Sequence, residues 1–330
     1  MARDDDDEAP PSNPNAPERF PSAKAIVELE ALAKKKPDKT RATEAWRIVA
    51  LAAGNPDAHA VIDFAREHEL VLPCEQTDHT ATNITWTNPL DGSEMVWIPP
   101  GKFIYGTQGK TAECAGFSLG RWPSTNEQFV RFLRKTDYVP VAGHGDNEIF
   151  GSHWWQSEPA KTHAKHPATF VSLFDALAYC KWAGLTLPTE WLWEKAARGT
   201  DGRQFPWGSG APVVGKTKLA HVDANETCAV GKFSSVRSPY GCEELIGNVS
   251  EWCQPMPAKA PVGAFPPYVP EFEIPPEDEP VYTVVRGACF LRSGLSGMKS
   301  SHQRNLSIAR RNQWVGFRPA CLLPVRPATK

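Results

Sequence analysis

No run of about 18 consecutive apolar residues occurs in this 330-residue chain, so no segment reads as a membrane span and no membrane partner is expected. None of the eight cysteines (Cys74, Cys114, Cys180, Cys228, Cys242, Cys253, Cys289 and Cys321) forms a C-x-x-C pair. In a long chain without a secretory leader the thiols are read as reduced, not as a disulfide framework. Neither sign of charge dominates: 36 Lys and Arg face 38 Asp and Glu, for a net charge of −2. No basic stripe is visible, so nucleic acid is not an expected partner. The opening "MARDDDDEAPPSNPNAPERF" is acidic and proline-rich, the opposite of a secretory leader. Residues 1–21 read as a disordered tail, and the protein as cytoplasmic.

What is abundant is tryptophan (12) and proline (31), with 41% apolar content overall. Indole is large and needs a partner for its N–H. Many Trp beside many Pro and Gly point to irregular segments pinned by indoles, with one sizeable core and a small extra unit.

Residues 22–72 carry three helical patterns, each with a start signal, an apolar face and a polar end. In "SAKAIVELEALAKKK" the face is Ile26, Leu29 and Leu32–Ala33, with Ser22 as the cap. About 50 residues of helix alone would be marginal, so this module is expected to pack on the rest of the chain or on a partner. Residues 73–94 read as a linker, 95–324 as the main domain and 325–330 as a tail. Within the domain, "MVWIPPGKFIYG" reads as two strands around a Pro-Pro-Gly turn. "PSTNEQFVRFLRKT" is a helix with Ser124 and Glu127 at capping-box spacing. "VSLFDALAYCKWAG" is a helix from Ser172 to its stop at Gly184, and "LPTEWLWEKAARG" is another, ending at Gly199. "VYTVVRGACF" and "VGFRPACLL" read as strands, and 255–280 as a Pro- and acid-rich insertion. The class is α+β with short strands, few helices and much irregular structure.

The stretch "LIGNVSEWC" concentrates an amide, a carboxylate, an indole and a thiol. Asn248 and Glu251 lie at the spacing of a helix N-cap and its N3 partner. The same oxygens, with the backbone carbonyl of Val249, are hard donors that suit calcium. Both readings stay open on the residues alone.

Six ordered blocks carry a family resemblance: "MVWIPPGKFIYGT", "STNEQFVRFL", "HPATFVSLFDALAYCKWAGLTLPTEWLWEKAARGTDGRQFPWG", "SPYGCEELIGNVSEW", "VVRGACF" and "VGFRPA". Together they resemble the formylglycine-generating enzymes, or sulfatase-modifying-factor family, whose fold is a variant of the C-type lectin fold. The resemblance implies structural calcium on Asn248, Val249 and Glu251. It also implies a second, less well-kept site near "AHVDANE", where His221 stands for a usual Asn and Asp223 or Asn225 would substitute.

The family's catalytic members oxidise a client cysteine with O₂, using two thiolates five residues apart that hold copper(I). Counted from the shared Arg286–Gly287, those positions are Arg292 and Gly297. Neither can ligate copper, and the nearby Cys289 sits where the family has Ser. Iron-dependent relatives draw histidines from an N-terminal bundle; here that region holds only His59 and His68, nine apart. Copper and iron are therefore not expected. His144, His153, His163 and His166 lie in one His-rich stretch, which reads either as a metal loop or as a solvated segment anchored by Trp154 and Trp155. The resemblance also implies that Cys180 and Cys321 lie close. Arg318 is expected in an ion pair with Glu194 or Glu190.

Two functions follow. One is a non-catalytic module that binds a protein or ligand through the polar face 291–314, as the resemblance to variable proteins of diversity-generating retroelements implies. Its contact residues would be Arg292, Ser296, His302, Arg304, Arg310, Arg311 and Trp314. A protein partner is expected there or on the helical module. The alternative is a metal-dependent oxidoreductase of the same superfamily acting on a thiol or protein substrate, with Cys289 in its site.

Overall fold

A computed structural model describes residues 21–52, 58–68, 70, 83–140, 162–210, 213–214, 217–256, 262, 281–292 and 295–322. The expectations for the two tails, for residues 257–261 and 263–280 of the insertion, for Cys74, and for His144, His153, Trp154 and Trp155 lie outside these residues, as does the side chain of His59.

The chain opens with α1 (Ser22–Ala33), α2 (Lys39–Ala52) and α3 (Ala58–Glu67). Helix α1 starts at Ser22 itself, with Pro21 in the capping position, so Ser22 is not the cap. Ala25, Leu29 and Leu32 are buried on its inner face, as the apolar spacing requires. These helices do not form a core of their own. Ala25, Trp46, Val49 and Ile62 belong to one apolar cluster with Trp86, Phe129, Tyr179 and Phe317 of the main domain. Trp46, with no exposed surface, donates its indole N–H to Asn88 Oδ1 at 3.0 Å. Asn88 in turn donates to the Ala183 carbonyl at 2.9 Å. The Trp46 and Trp86 rings meet edge-on at 5.5 Å. One amide thus satisfies the indole that the small unit buries against the large one.

The domain begins before Met95. Strand β1 (Thr85–Thr87) pairs with β2 (Glu94–Ile98), so the end of the expected linker 73–94 is sheet. β2 continues to β5 (Phe117–Gly120) and then β12 (Ala320–Cys321), giving an antiparallel sheet that joins the start of the domain to its end. The second strand of "MVWIPPGKFIYG" belongs elsewhere: β3 (Gly101–Tyr105) forms a hairpin with β4 (Lys110–Cys114). After β6 (Val213–Val214) and β7 (Thr217–Lys218) comes a second four-stranded sheet, made from β8 (Ser250–Trp252), β9 (Tyr282–Arg286), β10 (Gln303–Ser307) and β11 (Val315–Phe317). Its order is β10-β9-β8-β11, with only β8 and β11 parallel.

Three helices lie between the sheets in sequence. Helix α4 (Asn126–Thr136) is capped one residue later than the spacing suggested: Gln128 Oε1 accepts from the Thr125 backbone N–H at 2.9 Å. Ser124 is unavailable because its backbone pairs with Phe317 and Ala168, and Glu127 turns to Lys165. Helix α5 (Leu173–Ala183) starts at Ser172, whose N–H donates to Asp175 at 2.7 Å, and stops at left-handed Gly184. Helix α6 (Glu190–Arg198) is capped by Thr189 and ends at Gly199. Among the described residues no helix is long and apolar enough to cross a membrane.

Trp46→Ala should cost about 3–5 kcal/mol, the usual range for emptying a large buried aromatic site. It also removes one donor from Asn88 Oδ1. Urea unfolding of the full chain checks the value, and a loss under about 1 kcal/mol would show that the helices are only loosely docked.

Candidate functional site

The site is built on two buried guanidinium–carboxylate pairs that converge on α6. Glu251 of β8 accepts from Arg318 Nε at 3.0 Å and Nη2 at 2.8 Å, and from the Trp193 indole at 2.6 Å. Arg318 directs its remaining N–H groups to the carbonyls of Gly120, Arg121 and Glu243. Arg286 of β9 donates to Glu194 and to the Ser300 carbonyl, and its guanidinium lies 5.3 Å from the Trp193 ring centre. Arg318 is thus an ion-pair residue, but with Glu251; Glu194 is taken by Arg286 and Arg198.

Above this base, residues 245–248 and 287–290 pass within backbone contact. Gly247 donates to the Ala288 carbonyl at 2.7 Å, and Phe290 donates to the Asn248 carbonyl at 3.0 Å. Both glycines are required. A Cβ on Gly247 would sit 2.7 Å from His221 N, and one on Gly287 2.7 Å from the Leu245 carbonyl oxygen. This crossing fixes where Cys289 and Arg292 emerge.

The Arg292 side chain reaches the second position expected to lack a thiol. The Arg292 guanidinium lies over Gly297, where an added Cβ would be 3.5 Å from its Cζ, Nε and Nη1. Cys289 is 3% exposed, and burial pushes its thiol up despite nearby Arg292. That is the environment of an inert core cysteine, not of a nucleophile. His302 is half-buried, and burial together with Arg292 and Arg286 disfavours its charged form. Ser296 is exposed. Arg304 stacks on Trp314 at 4.8 Å, and Arg310 is half-buried. Arg311 leaves the expected face: it turns inward to Asp175 at 3.0 Å and to the Phe170 carbonyl at 2.9 Å. A buried carboxylate at the start of α5 attracts it, and nothing in the chain pattern marked Asp175 as buried.

The turn at Asn248 is not a helix cap. Asn248 has φ 62°, and the chain runs on into β8, not into a helix. Its amide oxygen accepts from Cys228 N–H, and its amide nitrogen donates to the Cys228 carbonyl and to Glu244. The Glu251 carboxylate is held by Arg318 and Trp193. The carboxylate that lies beside Asn248 is Glu244, which is 6% exposed and pushed up by burial. It accepts N–H groups from Gly231 and Asn248, and the charge of Arg318 acts on it without a direct contact. The acidic pair Glu243–Glu244 inside an apolar motif was the available signal. At the second turn, Asp223 and Asn225 are exposed, and the backbone N–H of Asp223 donates to the Arg292 carbonyl.

Among the described residues no three His, Cys, Asp or Glu groups are arranged to hold a metal. His163 and His166 meet edge-on at 4.4 Å, and His166 pairs with the Thr227 hydroxyl. His68 stacks on Phe64. Cys180 and Cys321 are free thiols in the same apolar cluster.

Residues 82–322 match the family described as sulfatase-modifying factor enzyme 1-like domain, and the chain belongs to that family. It is 28% identical over 208 residues to hercynine oxygenase of Mycolicibacterium smegmatis, covering 53% of this chain and 47% of that protein. The chain therefore spans about half the length of that relative. It is 29% identical over 214 residues to the formylglycine-generating enzyme of Thermomonospora curvata, covering 48% of this chain and 70% of that one. It is 30% identical over 207 residues to mouse inactive C-alpha-formylglycine-generating enzyme 2, covering 48% and 67%. The solved structure of PvdO from Pseudomonas aeruginosa superposes with a TM-score of 0.58 at 21% identity, covering 73% of this chain and 99% of that one. The fold is thus the α+β type expected from the six sequence blocks.

Glu251→Gln should destabilise the protein by about 3 kcal/mol, because it leaves Arg318 charged and buried without a counter-charge. Arg318→Met paired with Glu251→Leu should recover part of that loss, read by urea unfolding. A pH effect follows from His166, which burial, His163 and Lys232 push down to about 4 from its ordinary 6.5. Between those values the unfolded chain takes up the proton first, so stability falls as pH drops through that window. His166→Gln should flatten the fall; an unchanged pH profile of thermal unfolding would refute the assignment.

Proposed function

We propose that this chain is a non-catalytic member of its family that binds a protein or ligand through the face 291–310 and Trp314. The observation that carries the reading is Arg292 lying over Gly297. A soft monovalent metal needs two thiolates. Here a cation and a bare Cα meet in their place. The buried Cys289, its thiol pushed up by burial, is a weak replacement nucleophile, which weighs against the oxidoreductase reading. That the family includes a mouse protein named as inactive is consistent with such a loss.

A structural cation fits beside this reading, with a changed ligand. Glu244 is a buried carboxylate next to the Asn248 turn, with no direct ion-pair contact among the described residues. Calcium prefers such oxygens, and Glu244 would supply the carboxylate beside the Asn248 turn in place of Glu251. The ion would supply structural charge balance and no chemistry.

Purified protein should give no aldehyde from a C-x-P-x-R peptide under O₂ with added copper(I); turnover would end the non-catalytic reading. If the resemblance places the thiolate positions correctly, Arg292→Cys with Gly297→Cys should acquire one tightly bound copper(I) per chain, and each single variant should not. For calcium, the thermal midpoint should rise when calcium is added to chelator-stripped protein, and this rise should be lost in Glu244→Gln. An equal rise in both would remove Glu244 from the site.

A further inference from the structure

From residue 280 to residue 330 the chain contains no Asp or Glu, yet it contains nine Lys and Arg. In a chain of net charge −2 this is a segregation of charge. Three of the nine are neutralised by carboxylates from earlier in the sequence: Arg286 by Glu194, Arg318 by Glu251 and Arg311 by Asp175. Arg292 and Lys299 are not; among the described residues neither has a carboxylate partner, and Lys299 is exposed. The two flank a short 3₁₀ turn, Leu295–Met298. Leu291 and Leu295 stand 48% and 57% exposed there, the only leucines so exposed among the described residues. The positive field is felt locally by His302.

We propose that the patch formed by Leu291, Arg292, Leu295, Ser296 and Lys299 docks an acidic polypeptide segment that carries apolar side chains. This rests on the binding-module reading and names the partner class of the same face. Uncompensated cations select carboxylates over other partners and steer their approach. The exposed leucines need an apolar counterpart to leave water. A phosphate backbone requires a continuous track of cations, and here it would meet leucine on either side of Arg292. A bilayer would require more apolar surface than two side chains present. A polypeptide alternating acidic and apolar residues meets both demands at once.

The test is fluorescence anisotropy of the full-length protein with a labelled peptide alternating Glu and Leu. Comparison probes are a Lys/Leu peptide, a Glu/Ser peptide, a single-stranded oligonucleotide and phosphatidylserine vesicles. The Glu/Leu peptide should bind best, weaken several-fold with added salt, and lose about tenfold affinity in Arg292→Glu and in Lys299→Glu. Leu295→Ser, on a solvent-facing side chain, gives a second variant should Arg292→Glu fail to fold, and it should weaken the Glu/Leu peptide and not the Glu/Ser peptide. Equal binding of the Lys/Leu peptide, preference for the oligonucleotide or vesicles, or indifference to Lys299→Glu would overturn the proposal. Aldehyde formation from a C-x-P-x-R peptide would strike the non-catalytic reading and leave the anisotropy result standing. Loss of the charge preference without turnover would strike this inference alone.

Discussion

Two arginines with no solvent contact, Arg286 and Arg318, set the terms on which the second sheet meets α6. Burying a guanidinium is unfavourable unless every N–H group finds an acceptor and the charge finds a partner. Arg318 meets both conditions through Glu251 and three carbonyls. Those acceptors come from the end of β5, from residue 243 and from β8. The pair adds little net stability over a well-packed apolar substitute. What it does is make one arrangement of these segments far better than its neighbours, because any slip leaves a charge unpaired.

Helix α6 shows the same constraint from the other side. Trp193, Glu194 and Lys195 are consecutive and point in three directions, roughly 100° apart. Each is buried and each meets a polar partner there. Trp193 reaches Glu251, Glu194 reaches Arg286, and Lys195 reaches the Pro99 and Gly101 carbonyls. A helix surrounded on all sides must satisfy polar groups on all sides. The Lys195 ammonium is disfavoured by that burial and is held by carbonyls and the Cys114 sulfur, not by a carboxylate.

This explains what was legible in the chain and what was not. Helix α5 could be read to within a residue and α6 at its end, since Ser172, Gly184 and Gly199 are local stop and start signals with local physics. The cap of α4 was missed by one residue, because Ser124 is drawn off by strand β11 nearly two hundred residues away. Long-range pairing defeated the ion-pair assignments for the same reason. Glu194 and Glu251 are both plausible partners for Arg318 by composition, and only the crossing of α6 and β8 chooses between them. Counting from Arg286–Gly287 gives the positions the resemblance assigns to the thiols, but it could not say that the Arg292 side chain would fold back over Gly297.

The fate of that pair of positions bears on how a scaffold outlives its chemistry. The turn around residues 245–248 is welded to residues 287–290 by two backbone hydrogen bonds and two glycines, none of which involves a thiol. The platform therefore holds its shape whatever occupies positions 292 and 297. Sulfur there would add a metal site, and its replacement by arginine and glycine costs the fold nothing that the buried pairs supply. What changes is the field at the surface. In this chain the turn carries a fixed positive charge between exposed leucines. On the proposed reading, the residue that leaves copper without a ligand is also the one that presents charge to an acidic partner.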